Sequence, residues 1–305
     1  MKYASVFALA LLVAGCGGSV PTTSAVPQSR QISGMAQQPP STVRLFLGDG
    51  YNGSVDMFDT SGKQLGQISG VYPQALTVDD ASNLWVGDYS NYTLQQYPSP
   101  YASPAVTLRD TAGAPFALAV NAAAGPQHGL LAVSSYPTSG FWSLRFFPPG
   151  HQTPCKTLSL AGPAYGLAFD SRGDLYIGGT QTIQRALHGC GATKVYNLHT
   201  TNKLPRLGYK VAVLPNGNVA VLMGSNPSST IYTYAPAVDA NLGSPIATTS
   251  IAVTDAFSFA FTADGKHVWV PDTINARVDE FAFPSGKAES NFAGSINYDS
   301  IALSP

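Results

Sequence analysis

A short apolar block returns six times in this chain, at intervals of 42–49 residues, and no other feature limits the fold so tightly. Its copies are Ala75-Leu-Thr-Val78, Ala117-Leu-Ala-Val120, Gly166-Leu-Ala-Phe169, Lys210-Val-Ala-Val213, Ser258-Phe-Ala-Phe261 and Ser300-Ile-Ala-Leu303. A turn such as Asp170-Ser-Arg-Gly173 or Pro215-Asn-Gly217 follows, and then a second apolar run beginning at Leu84, Leu130, Leu175, Val219 or Val268. A third run carries an aliphatic residue with an aromatic three places later, as in Leu94/Tyr97, Leu144/Phe147, Ile231/Tyr234 and Val278/Phe281. A weaker fourth run follows, for example Val106-Thr-Leu108. Four short strands joined by tight turns, repeated on such a period, describe the blades of a β-propeller rather than a β-sandwich. The 265 residues of 41–305 make six blades of about 44 residues.

The ends of the chain supply a second argument for an all-β, six-bladed ring. The first repeat starts at its second strand, Leu45-Phe-Leu-Gly-Asp49, and lacks an innermost one. The C-terminal block Ser300-Ile-Ala-Leu303 has no repeat of its own to follow, so the tail is expected to complete the blade that the head begins. Such sharing leaves no inner strand edge unpaired. Small residues (Thr77, Ala119, Ala168, Ala212, Ala260 and Ala302) sit between the apolar residues of each block, as strands crowded round one axis require.

The first 40 residues follow different rules. Met1-Lys2, an apolar run from Ala4 to Val13 and small residues before Cys16 make a secretory signal too short to span a bilayer. Leu12-Val-Ala-Gly-Cys16 resembles the lipobox of bacterial lipoproteins. That resemblance implies a signal peptide over 1–15, cleavage before Cys16, and lipidation of Cys16 as a membrane anchor. Gly17 in the next position, by likeness to Gram-negative sorting, implies the outer membrane. Residues 16–40, rich in Gly, Ser, Pro, Thr and Gln, then read as a flexible tether that carries no core.

Three repeats carry Asp-x-x-Asn just after the second strand: Asp49-Gly-Tyr-Asn52, Asp88-Tyr-Ser-Asn91 and Asp272-Thr-Ile-Asn275. With stretches such as Pro73-Gln-Ala-Leu-Thr-Val-Asp79, they resemble NHL repeats and, more broadly, the six-bladed NHL/SMP-30-like propellers. The blades around Ser134, Gly178 and Gly224 lack the Asp. Two roles fit these aspartates: closing the turn onto backbone amides, or contacting a ligand or hard cation.

Loops that precede first strands and loops that follow second strands lie on one end of such a ring. Tyr72, Phe116, Tyr165, Tyr209, Phe257 and Tyr298 stand there, one in each repeat. They suit either the lining of a ligand funnel or wedges packed between blades. Lys210 places a charge where other repeats have Ala, Gly or Ser, and needs an acid or water beside it. Asp255 and Asp299 are the candidate partners, either joined with Lys210 in a charged cluster or leaving it solvated in a wet channel.

Signs of catalysis are thin. The lactonase-type SMP-30-like proteins hold a cation with Glu, Asn and Asp. The two glutamates of this chain, Glu280 and Glu289, lie outside the inner strands and their preceding loops. The five histidines show no metal-ligand spacing, and no phosphate-binding loop is present. No cofactor and no metal site are therefore expected. With 16 basic and 17 acidic residues there is no cationic excess for nucleic acid. Without Cys16, the cysteines left are Cys155 and Cys190, and an exported chain with that even remainder is expected to join them as a disulfide. Both fall between third and fourth strands of consecutive repeats. The resulting expectation is a monomeric, envelope-anchored, non-catalytic scaffold that binds a protein, peptide or glycan at its central mouth. The alternative is an SMP-30-like or lyase-type enzyme with a cation in the channel.

Overall fold

Each apolar run becomes a strand whose two sides both meet a neighbouring blade, which is why the runs are apolar on consecutive residues and not merely on alternate ones. A computed structural model of the protein describes residues 43–138, 140–202, 209–224 and 227–304, without the side chain of Tyr209. The signal peptide, Cys16 and the tether lie outside the described residues.

The chain opens with β1 (Arg44–Asp49), β2 (Ser54–Asp59) and β3 (Gln64–Ser69). The second blade holds β4 (Pro73–Val78), β5 (Leu84–Asp88), β6 (Thr93–Tyr97) and β7 (Val106–Arg109). The third holds β8 (Gly113–Val120), β9 (Leu131–Pro137), β10 (Ser143–Phe147) and β11 (Lys156–Ser159). The fourth contains β12 (Ala164–Phe169), β13 (Leu175–Gly179), β14 (Ile183–Ala186) and β15 (Val195–Thr200). The fifth has β16 (Tyr209–Val213), β17 (Val219–Met223), β18 (Ser229–Tyr234) and, after the short β19 (Asn241–Gly243), β20 (Ala247–Ile251). The sixth has β21 (Ala260–Phe261), β22 (His267–Asp272), β23 (Arg277–Ala282) and β24 (Ala288–Ala293), and β25 (Tyr298–Leu303) ends the chain.

These strands form six sheets, with the first strand of each repeat at the inner edge. The first sheet has the order β25-β1-β2-β3, so the tail closes the ring. Leu303 pairs with Leu45, Ala302 with Phe46 and Ile301 with Leu47. The protein is thus a six-bladed β-propeller, with almost no helix among the described residues.

Six buried clusters hold the ring together, one at each junction between blades. Phe46, Val55 and Met57 meet Leu76, Leu84 and Val86 between blades one and two. Leu45, Leu47 and Phe58 meet Trp269 and Val278 across the closing junction. The other four junctions are built alike. Each large aliphatic or aromatic side chain withdrawn from water there contributes about 1.5–3 kcal/mol. Opposite the aromatic-rich end, the turns between first and second strands close on left-handed residues such as Gly173 at φ 78°, a conformation that a Cβ disfavours.

Three details depart from the repeat. The block at Ser258 is strand only from Ala260, because Asp255 takes φ 51° and the Ala256 amide donates to Ser229 Oγ at 3.0 Å. The third strand of blade four has Ala186 where other repeats place an aromatic. Blade four also gains a fifth strand, β19, which pairs parallel to β15 through His199 and Asn241.

The expected disulfide is present. Cys155 and Cys190 join blades three and four with Cα atoms 5.5 Å apart, on the end of the ring opposite the aromatic loops.

Candidate functional site

Strand order puts the loops after second strands and the loops before first strands at one end of the ring. Among the described residues, nine of the twelve exposed large hydrophobic side chains sit in those loops or at their edges: Tyr51, Tyr72, Tyr89, Tyr92, Tyr136, Phe141, Phe257, Ile274 and Ile296. Apolar groups left in water on one end, while every inter-blade junction is sealed, mark a contact surface.

The densest part is a run of five rings across blades two, three and four. Tyr89 lies 6.3 Å from Tyr136, measured between ring centroids, and Tyr136 lies 5.2 Å from Trp142. Trp142 is 5.2 Å from Phe116, and Phe116 is 5.5 Å from Tyr165. The last three contacts are edge-to-face, the geometry that the ring quadrupoles favour. Tyr89 and Tyr136 are exposed, and Phe116, Trp142 and Tyr165 are half-buried. Repeat spacing pointed to Phe116 and Tyr165 but missed Tyr89, Tyr136 and Trp142. Tyr89 was legible inside Asp88-Tyr-Ser-Asn91. Trp142 carried no periodic signal, because it follows an irregular loop.

A buried ion pair joins blade three to the loop that enters it. Arg145 of β10 donates to Asp110, and Asp110 also accepts the Ser135 hydroxyl at 2.6 Å. Both charged side chains are almost wholly buried. Burial pulls the Arg145 guanidinium down to about 10, still charged at neutral pH.

The other expected site residues divide. Tyr72 and Phe257 are exposed on the aromatic end. Tyr209 heads β16, and its side chain lies outside the described residues. Tyr298 does not line a mouth; it is 3% exposed, and its hydroxyl donates to Asp56 Oδ2 at 2.8 Å. Burial first, and then Asp56, raise this phenol well above the ordinary tyrosine range.

Lys210 sits on β16 opposite Leu222, and burial pulls its ammonium down to about 8. The charged cluster does not form: neither Asp255 nor Asp299 comes within ion-pair distance of it among the described residues. Asp299 instead packs over Gly50, where an added Cβ would stand 2.8 Å from its Oδ2. Desolvation, and then the charge of Asp49, raise the Asp299 carboxyl above the usual range.

The Asp-x-x-Asn aspartates close turns. Asp49 takes the Asn52 amide on Oδ1 and the Asn52 side chain on Oδ2, both at 2.8 Å. Asp88 and Asp272 hold Asn91 and Asn275 in the same way. All three are buried with both oxygens engaged, which leaves little for a cation.

Strand pairing brings His267 together with Glu280 and Glu289, a convergence that their separations in the chain conceal.

No family model matches the chain, and no curated protein matches it in sequence. Solved structures do resemble it. A functionally unknown protein from Desulfotomaculum acetoxidans DSM 771 superposes with a TM-score of 0.60 at 14% identity, covering 85% of this chain and 98% of that one. Hydrazine synthase from Kuenenia stuttgartiensis gives 0.57 at 11%, covering 86% of both. A chain of a nidogen/laminin complex gives 0.65 at 13%, covering 86% and 98%. Likeness at these identities supports the propeller fold and carries no activity across.

Proposed function

We propose that this chain is a non-catalytic binding scaffold of the bacterial cell envelope, anchored by lipid at Cys16 in the outer membrane, which takes a protein, peptide or glycan on its aromatic end. The observation that carries the reading is the run Tyr89–Tyr136–Trp142–Phe116–Tyr165, with two rings exposed and three half-buried. Aromatic rings lose little conformational entropy on binding, and they offer an apolar face with a polar edge to sugars and peptides alike. The anchor and the NHL/SMP-30-like kinship rest on the lipobox at Leu12–Cys16 and on the repeat motifs. The enzymatic alternative is weaker, because Asp49, Asp88 and Asp272 spend their carboxylates on turns.

Two experiments test this. Cells fed a radiolabelled fatty acid should label the wild-type chain and not Cys16→Ser; equal labelling would remove the anchor. A panel of soluble envelope glycans and peptides, titrated calorimetrically, should contain a ligand whose affinity falls at least about tenfold in Tyr136→Ala. A ligand bound equally well by that variant would displace the site from this end.

A further inference from the structure

Blade six carries a second site, independent of the aromatic end. The chain has two glutamates in 305 residues, and both converge on one histidine. His267 opens β22, Glu280 lies on β23 and Glu289 on β24. His267 Nδ1 is 2.7 Å from Glu289 Oε2 and 3.5 Å from Glu280 Oε1.

Three features distinguish the group from a chance surface contact. First, Glu289 is aimed by a β-bulge. Glu280 pairs with Ser290 and Phe281 with Ala288, so Glu289 is the extra residue and has no partner across the ladder. A bulge turns a side chain away from the ordinary alternation, and here it carries Glu289 to His267. Second, Glu280 is held in place. Its Oε2 accepts the Ser290 hydroxyl at 2.6 Å, which leaves Oε1 facing the imidazole. Outer hydrogen bonds of this kind orient the ligands of metal sites. Third, the charges do not balance. Two carboxylates share one imidazole, and among the described residues no lysine or arginine forms an ion pair with either.

We infer that His267, Glu280 and Glu289 form a binding site for a divalent first-row transition cation, zinc foremost, on the outer strands of the sixth blade. One imidazole nitrogen and two carboxylate oxygens are a donor set that zinc and its neighbours accept, whereas calcium prefers six to eight oxygens. The three ligand atoms lie within 4.8 Å of one another. A tetrahedron with bonds of about 2.1 Å has edges of about 3.4 Å, so small side-chain rotations suffice. Three protein ligands leave a position for water. A cation held there would tie β24, an outermost strand with mostly exposed side chains, to the two strands inside it.

The test uses the full chain, stripped with a chelator and titrated calorimetrically with Zn²⁺, with Ca²⁺ in parallel. One equivalent of Zn²⁺ should bind, and affinity should fall at least about tenfold in His267→Gln, Glu280→Gln and Glu289→Gln. Amide exchange in β24 should slow with Zn²⁺ in the wild type and stay unchanged in Glu289→Gln. Glu289 is exposed, so that variant keeps the fold and decides the matter if the others do not. No saturable Zn²⁺ binding, full affinity in Glu289→Gln, or binding of Ca²⁺ in preference to Zn²⁺ would each overturn the assignment.

Discussion

Tyr298 and Asp56 join the two ends of the chain through one buried hydrogen bond, the tyrosine hydroxyl donating to Oδ2 at 2.8 Å. Tyr298 begins the last strand, and Asp56 lies on β2 of the blade that this strand completes. The other carboxylate oxygen of Asp56 accepts Gln67 Nε2 at 2.8 Å. Tyr298→Phe would leave Oδ2 without its donor in a buried place, at a cost of about 1–3 kcal/mol. Urea unfolding of the wild type and the variant measures it; equal midpoints would show that water replaces the hydroxyl.

Removing residues 296–305 takes away all of β25 and exposes the inner edge of β1. It also strips Ile301 and Tyr298 from the cluster around Trp269. The truncated chain is expected to lose its cooperative thermal transition, followed by circular dichroism. A transition at the wild-type temperature would mean that the ring does not need its tail.

Arg145→Ala leaves Asp110 buried without its cation. The expected destabilisation is about 3–5 kcal/mol, most of it from the stranded carboxylate. Asp110→Asn in the Arg145→Ala background should recover part of the loss, which a chemical denaturation series of the two variants would reveal.

Lys210 makes stability depend on pH with a definite sign. Its ammonium is at about 8 in the fold, against 10.5 without burial. Between those values the unfolded chain holds a proton that the folded chain has shed, so stability rises with pH through this window. Below it the full penalty stands, worth up to about 3 kcal/mol. Lys210→Met should therefore be more stable at pH 7, and its advantage should shrink as pH rises from 8 to 10. An advantage that stays constant over that range would show that the ammonium is not desolvated.

The propeller was legible because packing repeats: six blocks with a small residue at the same place must share one environment, and the Cys155–Cys190 bond followed from an export signal and the even number of cysteines left without Cys16. What escaped depended on contacts remote in the chain. Ser258 looked like strand, yet its hydroxyl accepts the Ile301 amide at 3.3 Å and the preceding loop is drawn to Ser229. Tyr298 matched the other aromatics in spacing but was claimed by Asp56. In β14, Ala186 stands where an aromatic was the signal, opposite Leu175. His267, Glu280 and Glu289 belong to no short motif, because strand register and a bulge assemble them.

The pairing of Leu45 with Leu303 also sets a timetable. The head strand waits for a partner that lies far along the chain, so the circle cannot shut before that strand has been synthesised. Native pairing of such distant segments is slow, since the intervening loop must be closed before any contact rewards it. Until β25 arrives, the ring is an open arc with the inner edge of β1 unpaired.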